Sequence, residues 1–196
     1  YSMAYDLKNV FYLDTEATIT KATAGAGSAQ LDLSAYIDPI ARGRTRGTGL
    51  AIYKAHFAVI NTEDTNEVAP EDSETGVMAF SLQAGLGAGD AATGGILASK
   101  DAFELTNNLL VSAGYFYGPS SGSGVAGSNF SPSMHMYVEP SKEVPYVIVR
   151  DNVCLVYSVS DSAKFESNST LSVRLECAQI TLDQATLNQL LRTQTV

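Results

Sequence analysis

The chain has 196 residues, of which 45% are hydrophobic and 17% are charged, and its formal net charge is −9. A chain of this length buries about 70% of its extended surface, so we expect a single domain over residues 1–196. The acidic balance argues against a protein that neutralises nucleic-acid phosphates over a broad face.

Alternating apolar and polar residues predict strands along most of the chain. The clearest is 49–61, in which alternation places Ala51, Tyr53, Ala55, Phe57 and Val59 on one face and Leu50, Ile52, Lys54, His56, Ala58 and Ile60 on the other. The other predicted strands are 16–21, 29–33, 77–84, 109–117, 134–138, 145–150, 153–159 and 170–182.

Short polar connections predict how the later strands are joined. Asp151 and Asn152 separate two apolar runs and predict a tight antiparallel hairpin, and the connection 160–169 also has hairpin length. Asp101 and Glu104 indicate a short helical stretch through Asn108. A capping-box spacing from Thr181 to Gln184 predicts a C-terminal helix that docks on a sheet edge or a neighbour through Leu187, Leu190 and Leu191.

Many short strands with few helices predict an all-β fold, because too few helices are present for βαβ crossovers. We expect an antiparallel double-sheet sandwich, a single jelly roll with a short C-terminal helix; an immunoglobulin-like sandwich fits the same pattern with fewer strands. No apolar run is long enough to span a bilayer, so we expect no transmembrane segment. Residues 1–14 lack the pattern of a signal peptide, and export stays open as an alternative.

One segment, 61–76, carries six carboxylates and no basic residue. Calcium prefers oxygen ligands, which makes this segment a candidate cation site, but it lacks the glycine and glutamate register of an EF-hand loop. We therefore expect a solvated loop and no cofactor, with calcium as the alternative. The candidate ligands are Asp64, Glu67, Glu71, Asp72 and Glu74.

Three of the 12 basic residues, Arg42, Arg44 and Arg46, lie within five positions just before the longest strand. Such a cluster favours an acidic partner. The first interpretation is a contact with the acidic segment of a neighbouring copy. The alternatives are a polyanion such as a genome or a membrane surface, and an ordinary pair within the chain.

The residues needed for catalysis do not form a recognisable pattern. His56 and His135 lie in predicted strands without the spacing of a catalytic triad or a zinc site, so we expect no enzyme. Cys154 and Cys177 lie in apolar runs, which predicts buried free thiols, with a bridge between them as the alternative. The tyrosines at 115, 117 and 137 suggest a sugar platform or, as we expect for most of them, core residues.

Three segments, 31–38, 49–55 and 173–182, together with the Gly-rich turn after the first, resemble small jelly-roll capsid proteins of icosahedral viruses of microbes in strand layout and composition. The resemblance implies a shell subunit of the virion that associates with copies of itself and with other shell proteins, over an internal membrane or a genome. It carries no catalytic residues over. The basic N-terminal arm of many genome-binding capsid proteins is missing here, so we expect no extensive contact with nucleic acid.

These observations lead to one functional expectation and one alternative. We expect a structural, self-assembling protein, a viral capsid subunit. The alternative is an extracellular or cell-surface carbohydrate-binding or adhesin-type β-sandwich module, since sandwiches carry many unrelated functions.

Overall fold

A computed structural model of the chain describes residues 9–38, 46–63, 77–84, 100–118, 133–160, 165 and 167–194. These residues form nine strands, a short 3₁₀ turn at Lys100–Phe103 and one α-helix, α1, at Gln184–Thr193. The strands are β1 Phe11–Ile19, β2 Gly25–Asp32, β3 Arg46–Asn61, β4 Val77–Ala84, β5 Leu110–Tyr117, β6 Ser133–Val138, β7 Tyr146–Ile148, β8 Asn152–Val159 and β9 Ser169–Asp183.

The strands form two antiparallel sheets, ordered β1-β9-β3-β7 and β2-β8-β4-β5-β6. The chain crosses between the sheets from β1 to β2, β2 to β3 and β3 to β4, and again from β6 through β9. This order is that of a jelly roll, two four-stranded sheets between which the chain crosses repeatedly, with β6 added as a fifth strand to the second sheet. The predicted fold class is confirmed.

Both predicted hairpins in the last third of the chain are wrong. β7 pairs with β3, whereas β8 pairs with β2 and β4, so the turn at Asp151 and Asn152 crosses between the sheets. The connection from β8 to β9 crosses as well, because β9 lies between β1 and β3. Turn residues indicate that the chain reverses direction, but they do not determine which sheet the next strand joins.

A β-bulge at Tyr53 breaks the alternation predicted for β3. Ile52 lies opposite Cys177 and Lys54 opposite Glu176, which leaves Tyr53 as the extra residue. The inward side chains are therefore Leu50 and Ile52 before the bulge, and Ala55, Phe57 and Val59 after it. Ala51 and Tyr53 instead belong to a separate apolar cluster with Ala178, so the predicted grouping of these faces is wrong.

The space between the sheets is filled by apolar side chains. The Phe57 ring of the first sheet lies 4.7 Å from the Phe80 ring of the second, between ring centroids. Each such large side chain contributes about 1.5–3 kcal/mol when it is fully buried. The largest fully buried residues are Phe80, Phe165, Ile19, Leu33, Leu50, Ile52, Met78, Leu82, Ile148, Leu155 and Leu171.

A tyrosine ties the two sheets together at one end of the sandwich. The Tyr157 ring on β8 occupies the space that a side chain at Gly27, its partner on β2, would need. The Tyr157 hydroxyl donates a hydrogen bond to the Thr18 carbonyl of β1, at 2.7 Å. This single residue therefore links both sheets.

The helix α1 begins at a different residue from the predicted one. Asp183 is the N-cap, and its carboxylate accepts a hydrogen bond from the Thr186 N–H at 2.7 Å. The capping box predicted at Thr181 does not form, because β9 continues through Thr181 to Asp183. The predicted docking is confirmed: Leu187 is fully buried in a cluster with Leu182 and Val149.

Candidate functional site

The charged and the exposed aromatic side chains of the described residues lie on the outer faces of the sheets. The inward side chains of these residues form one continuous apolar cluster. Each of the two outer faces carries a distinct group of side chains.

The outer face of the first sheet carries a charged row across β1, β9 and β3. Register places Asp14 opposite Arg174, and Arg174 opposite His56 on the next strand. The Nε2 atom of His56 lies 3.0 Å from Oε1 of Glu176. This hydrogen bond from the imidazole is the main reason that the pKa of Glu176 lies below its usual value; the charges of His56, Lys54 and Lys142 add to it.

An aromatic ring borders the same row. The Arg174 guanidinium lies 6.0 Å from the centroid of the Tyr12 ring, at the outer limit of a cation–π contact. Tyr12 is 61% exposed. An exposed ring beside an arginine is typical of protein contact surfaces, in which Tyr and Arg are enriched.

These side chains surround a shallow open depression of about 880 Å³. Its lining mixes both signs of charge: Asp14, Glu16 and Glu176 against Arg174 and His56. Ser172 also lines it, but its hydroxyl donates to the Ala58 carbonyl, at 3.5 Å, rather than to the imidazole. The arrangement suits polar contacts with another surface and does not assemble a nucleophile with its base.

The outer face of the second sheet is half covered. Residues 100–109 pack on it, and the fully buried Gln83 donates to the Ala102 carbonyl at 3.0 Å and accepts from Asn107 at 3.2 Å. Buried polar groups require such partners. The amide of Gln83 therefore fixes this segment against β4.

The other half of that face is aromatic. Tyr115 and Tyr117 point outward with 37% and 39% of their surface exposed, so our expectation that they are core residues is wrong. The ring of Tyr115 lies 5.4 Å from that of Tyr137, between centroids, and the Tyr137 hydroxyl donates to the Phe103 carbonyl. Phe116, between the two exposed tyrosines, enters the core, because neighbouring side chains on a strand point to opposite faces.

Of the predicted arginine cluster, the structure describes Arg46 alone, whereas Arg42 and Arg44 lie outside the described residues. Arg46 is exposed at the start of β3, in register with Asp183 of β9. Backbone hydrogen bonding from Thr186 is the main cause that lowers the pKa of Asp183, and the charge of Arg46 is a smaller one. Arg46 therefore has an acidic neighbour within its own chain.

All five candidate calcium ligands, Asp64, Glu67, Glu71, Asp72 and Glu74, lie outside the described residues. Within the described part of the chain, no group of three or more His, Cys, Asp or Glu side chains is placed to hold a metal ion. The expectation of a solvated loop over residues 61–76, with calcium binding as the alternative, therefore stays a prediction.

Both cysteines are buried and free, as the sequence predicts. They lie on strands of different sheets, Cys154 on β8 and Cys177 on β9. Burial raises the pKa of Cys154 to about 11 and that of Cys177 to about 12. Neither thiol has the thiolate character of a reactive cysteine.

No family model matches the chain, and neither does any curated protein. Solved structures of polyomavirus VP1 align over most of its length. VP1 of Trichodysplasia spinulosa-associated polyomavirus, in complex with GM1 oligosaccharide, is 9% identical, with a TM-score of 0.42 over 90% of this chain and 96% of that one. For apo New Jersey polyomavirus VP1 the identity is 7% and the TM-score 0.45, over 88% and 100% of the two chains.

The unassembled pentamer of Merkel cell polyomavirus VP1 gives 7% identity and a TM-score of 0.39, over 88% of this chain and 96% of that one. With scores and identities this low, the alignments carry no argument about function. Among the described residues, no helix is both long and apolar enough to cross a membrane. The assignment of a jelly roll rests on the strand order of the chain itself.

Proposed function

We propose that this protein is a structural subunit of a viral capsid, located in the virion, and that it assembles with copies of itself. The observation that carries the proposal is a jelly roll with a solid apolar interior, which leaves its outer faces for interaction. Jelly rolls recur in viral capsids, in lectins and in cupins. Because cupins place their chemistry inside the barrel, the packed interior favours the first two.

The described surface supports assembly over catalysis. Large apolar side chains are exposed on both outer faces, Tyr12 and Ile60 on the first sheet and Tyr115 and Tyr117 on the second. Only 17% of the residues are charged, so little charge has to be desolvated when two copies meet. We therefore propose a structural role and no enzymatic one.

The proposal also includes the host of the virus and the other partners of the subunit. Composition and strand layout favour a virus of microbes, with other shell proteins and an internal membrane as further contacts. A net charge of −9 limits direct contact with nucleic acid.

The first experiment is light scattering on the purified chain across salt and pH, followed by negative-stain microscopy of the early-eluting fraction. Closed shells or regular rings are the expected result, and a monomer under every condition would contradict the proposal. Charge reversal of Arg42, Arg44 and Arg46 to Glu should shift the salt dependence of assembly. The reversal Arg192→Glu, at an exposed cation outside both the arginine cluster and the charged row, is the control.

A carbohydrate-binding module is the second candidate, and the exposed pair Tyr115 and Tyr137 favours it. The hydrogen bond to Phe103 fixes one ring, and fixed aromatic rings present flat faces to sugars. A titration of the chain with glycans, followed by the NMR chemical shifts of the protein, tests this candidate. The binding module would be favoured if the chain is monomeric and if the shift changes caused by glycan are lost in Tyr115→Ala but kept in Tyr12→Ala.

A further inference from the structure

β7 is an edge strand of only three residues. It pairs with β3 on one side, Ile148 opposite Leu50, and among the described residues no strand pairs with its other side. The backbone groups of Val147 and Val149 on its other side would be free to pair with another strand. Edges of this kind are templates for strand addition, and proteins cover or blunt them.

A side-chain amide covers this edge. Oε1 of Gln194 accepts from the Val149 N–H at 3.1 Å, and Nε2 of Gln194 donates to the Val147 carbonyl at 2.6 Å. One residue of an added parallel strand would engage the same two groups, by donating to one carbonyl and accepting from the N–H two residues later. Gln194 is only 3% exposed. Its carboxamide thus substitutes for a strand.

The helix α1 holds this amide in place. The Gln194 N–H donates to the Leu190 carbonyl at 2.9 Å, and Leu187 packs against Val149 and Leu182. A ten-residue helix is marginal by itself in water, so its docking energy keeps it formed. A helix that depends on its docking surface can be displaced by a competitor for the same surface.

We propose that β7 is a strand-addition site for an extended segment of a second copy, and that α1 holds it closed through Gln194. The groups at the edge are backbone groups, so they select for extended conformation rather than for a sequence. The surroundings of the edge are apolar, because Val147 and Leu190 pack against the cluster of Val149, Leu182 and Leu187. A second copy of this chain, in which only 17% of the residues are charged, supplies strand segments suited to such surroundings.

The test uses Gln194→Met, which keeps the length of the side chain and removes both hydrogen bonds. Gln189→Met is the matched control, because Gln189 is exposed on the same helix. Hydrogen exchange at the Val149 amide and light scattering are measured over a range of protein concentration, below the concentration at which the wild-type chain associates. If Gln194→Met unfolds, Gln194→Ala repeats the measurement, because it also removes both hydrogen bonds.

At low concentration the Val149 amide of Gln194→Met should exchange about tenfold faster than in the wild type, because its acceptor is gone. At high concentration the variant should associate, and the same amide should become protected again. Unchanged exchange, or association in which the Val149 amide stays unprotected, would overturn the proposal. The exchange rate of the Val149 amide is measured on the variant itself. The outcome therefore does not depend on whether the wild-type chain builds a shell.

Discussion

The imidazole of His56 lies 3.0 Å from the carboxylate of Glu176, across two neighbouring strands on the outer face of the first sheet. The two residues also line the depression on that face. The titration of Glu176 can therefore be followed separately from changes in the apolar core.

The hydrogen bond from His56 lowers the pKa of Glu176 below its ordinary value of 4.5. A carboxyl whose pKa is lower in the folded state stabilises the fold at neutral pH, and this contribution is lost as the pH falls through the folded value. Glu176→Gln should therefore lower the free energy of unfolding at pH 7, and the difference from wild type should shrink as the pH falls below about 4.5 and vanish only below the lowered pKa that Glu176 has in the folded state.

Urea unfolding at several pH values measures this difference. Glu16→Gln is the control for loss of a charge, because Glu16 lies on β1 and on the same outer face of the first sheet as Glu176. A Glu176→Gln difference that is the same at neutral and acid pH would show that the hydrogen bond does not determine the pH dependence.

The interior is predicted to be sensitive to loss of volume at Phe80. Its ring is fully buried and lies 4.7 Å from that of Phe57 on the opposite sheet. Phe80→Ala should reduce the free energy of unfolding by about 3–5 kcal/mol, because it leaves a cavity between the sheets. Leu105→Ala, at a side chain that is 71% exposed, should change it by less than about 0.5 kcal/mol. Equal effects in urea unfolding would contradict the described packing.

The two thiols should react only after unfolding. Burial and a raised pKa, about 11 for Cys154 and about 12 for Cys177, leave almost no thiolate at pH 8. A thiol reagent monitored by mass spectrometry should label neither residue in the native protein and both in denaturant. Rapid labelling without denaturant, or an intact mass that fits a disulfide, would be inconsistent with this environment.

For residues 61–76 we expect no specific calcium binding. The six carboxylates lack the spacing of a known calcium loop, so calorimetry should show no saturable heat between micromolar and millimolar calcium. A saturable heat that is lost in Glu71→Gln with Asp72→Asn, but kept in Glu143→Gln, would establish a site there.

Most strand positions could be predicted because burial on a sheet has a period of two. The predicted strand 77–84 matches β4 in full and 153–159 differs from β8 by one residue, whereas 16–21 covers only the last four residues of β1. Pairing could not be predicted in the same way, because the apolar run before Asp151 fits either sheet. The bulge at Tyr53 was also missed: apolar residues continue on both sides of it, so alternation alone gives no sign of the shift.

The surface was harder to predict than the core. Tyr115 and Tyr117 have the same spacing whether they face inward or outward, and only the burial of Phe116 between them decides. The contact of Gln194 with β7 joins residues that are far apart in sequence, and no local pattern indicates it. The arginine cluster at 42–46 and the acidic segment 61–76 were identified from their composition alone. Composition does not indicate which residues these segments contact.

The contact between Gly27 and Tyr157 limits how this sequence can diverge. A side chain at position 27 would overlap the Tyr157 ring, and a smaller residue at 157 would lose the hydrogen bond to Thr18. Substitutions at the two positions should therefore be inherited together: descendants that gain a side chain at 27 should have lost the tyrosine at 157. Such paired changes would let distant relatives be recognised after overall identity has faded.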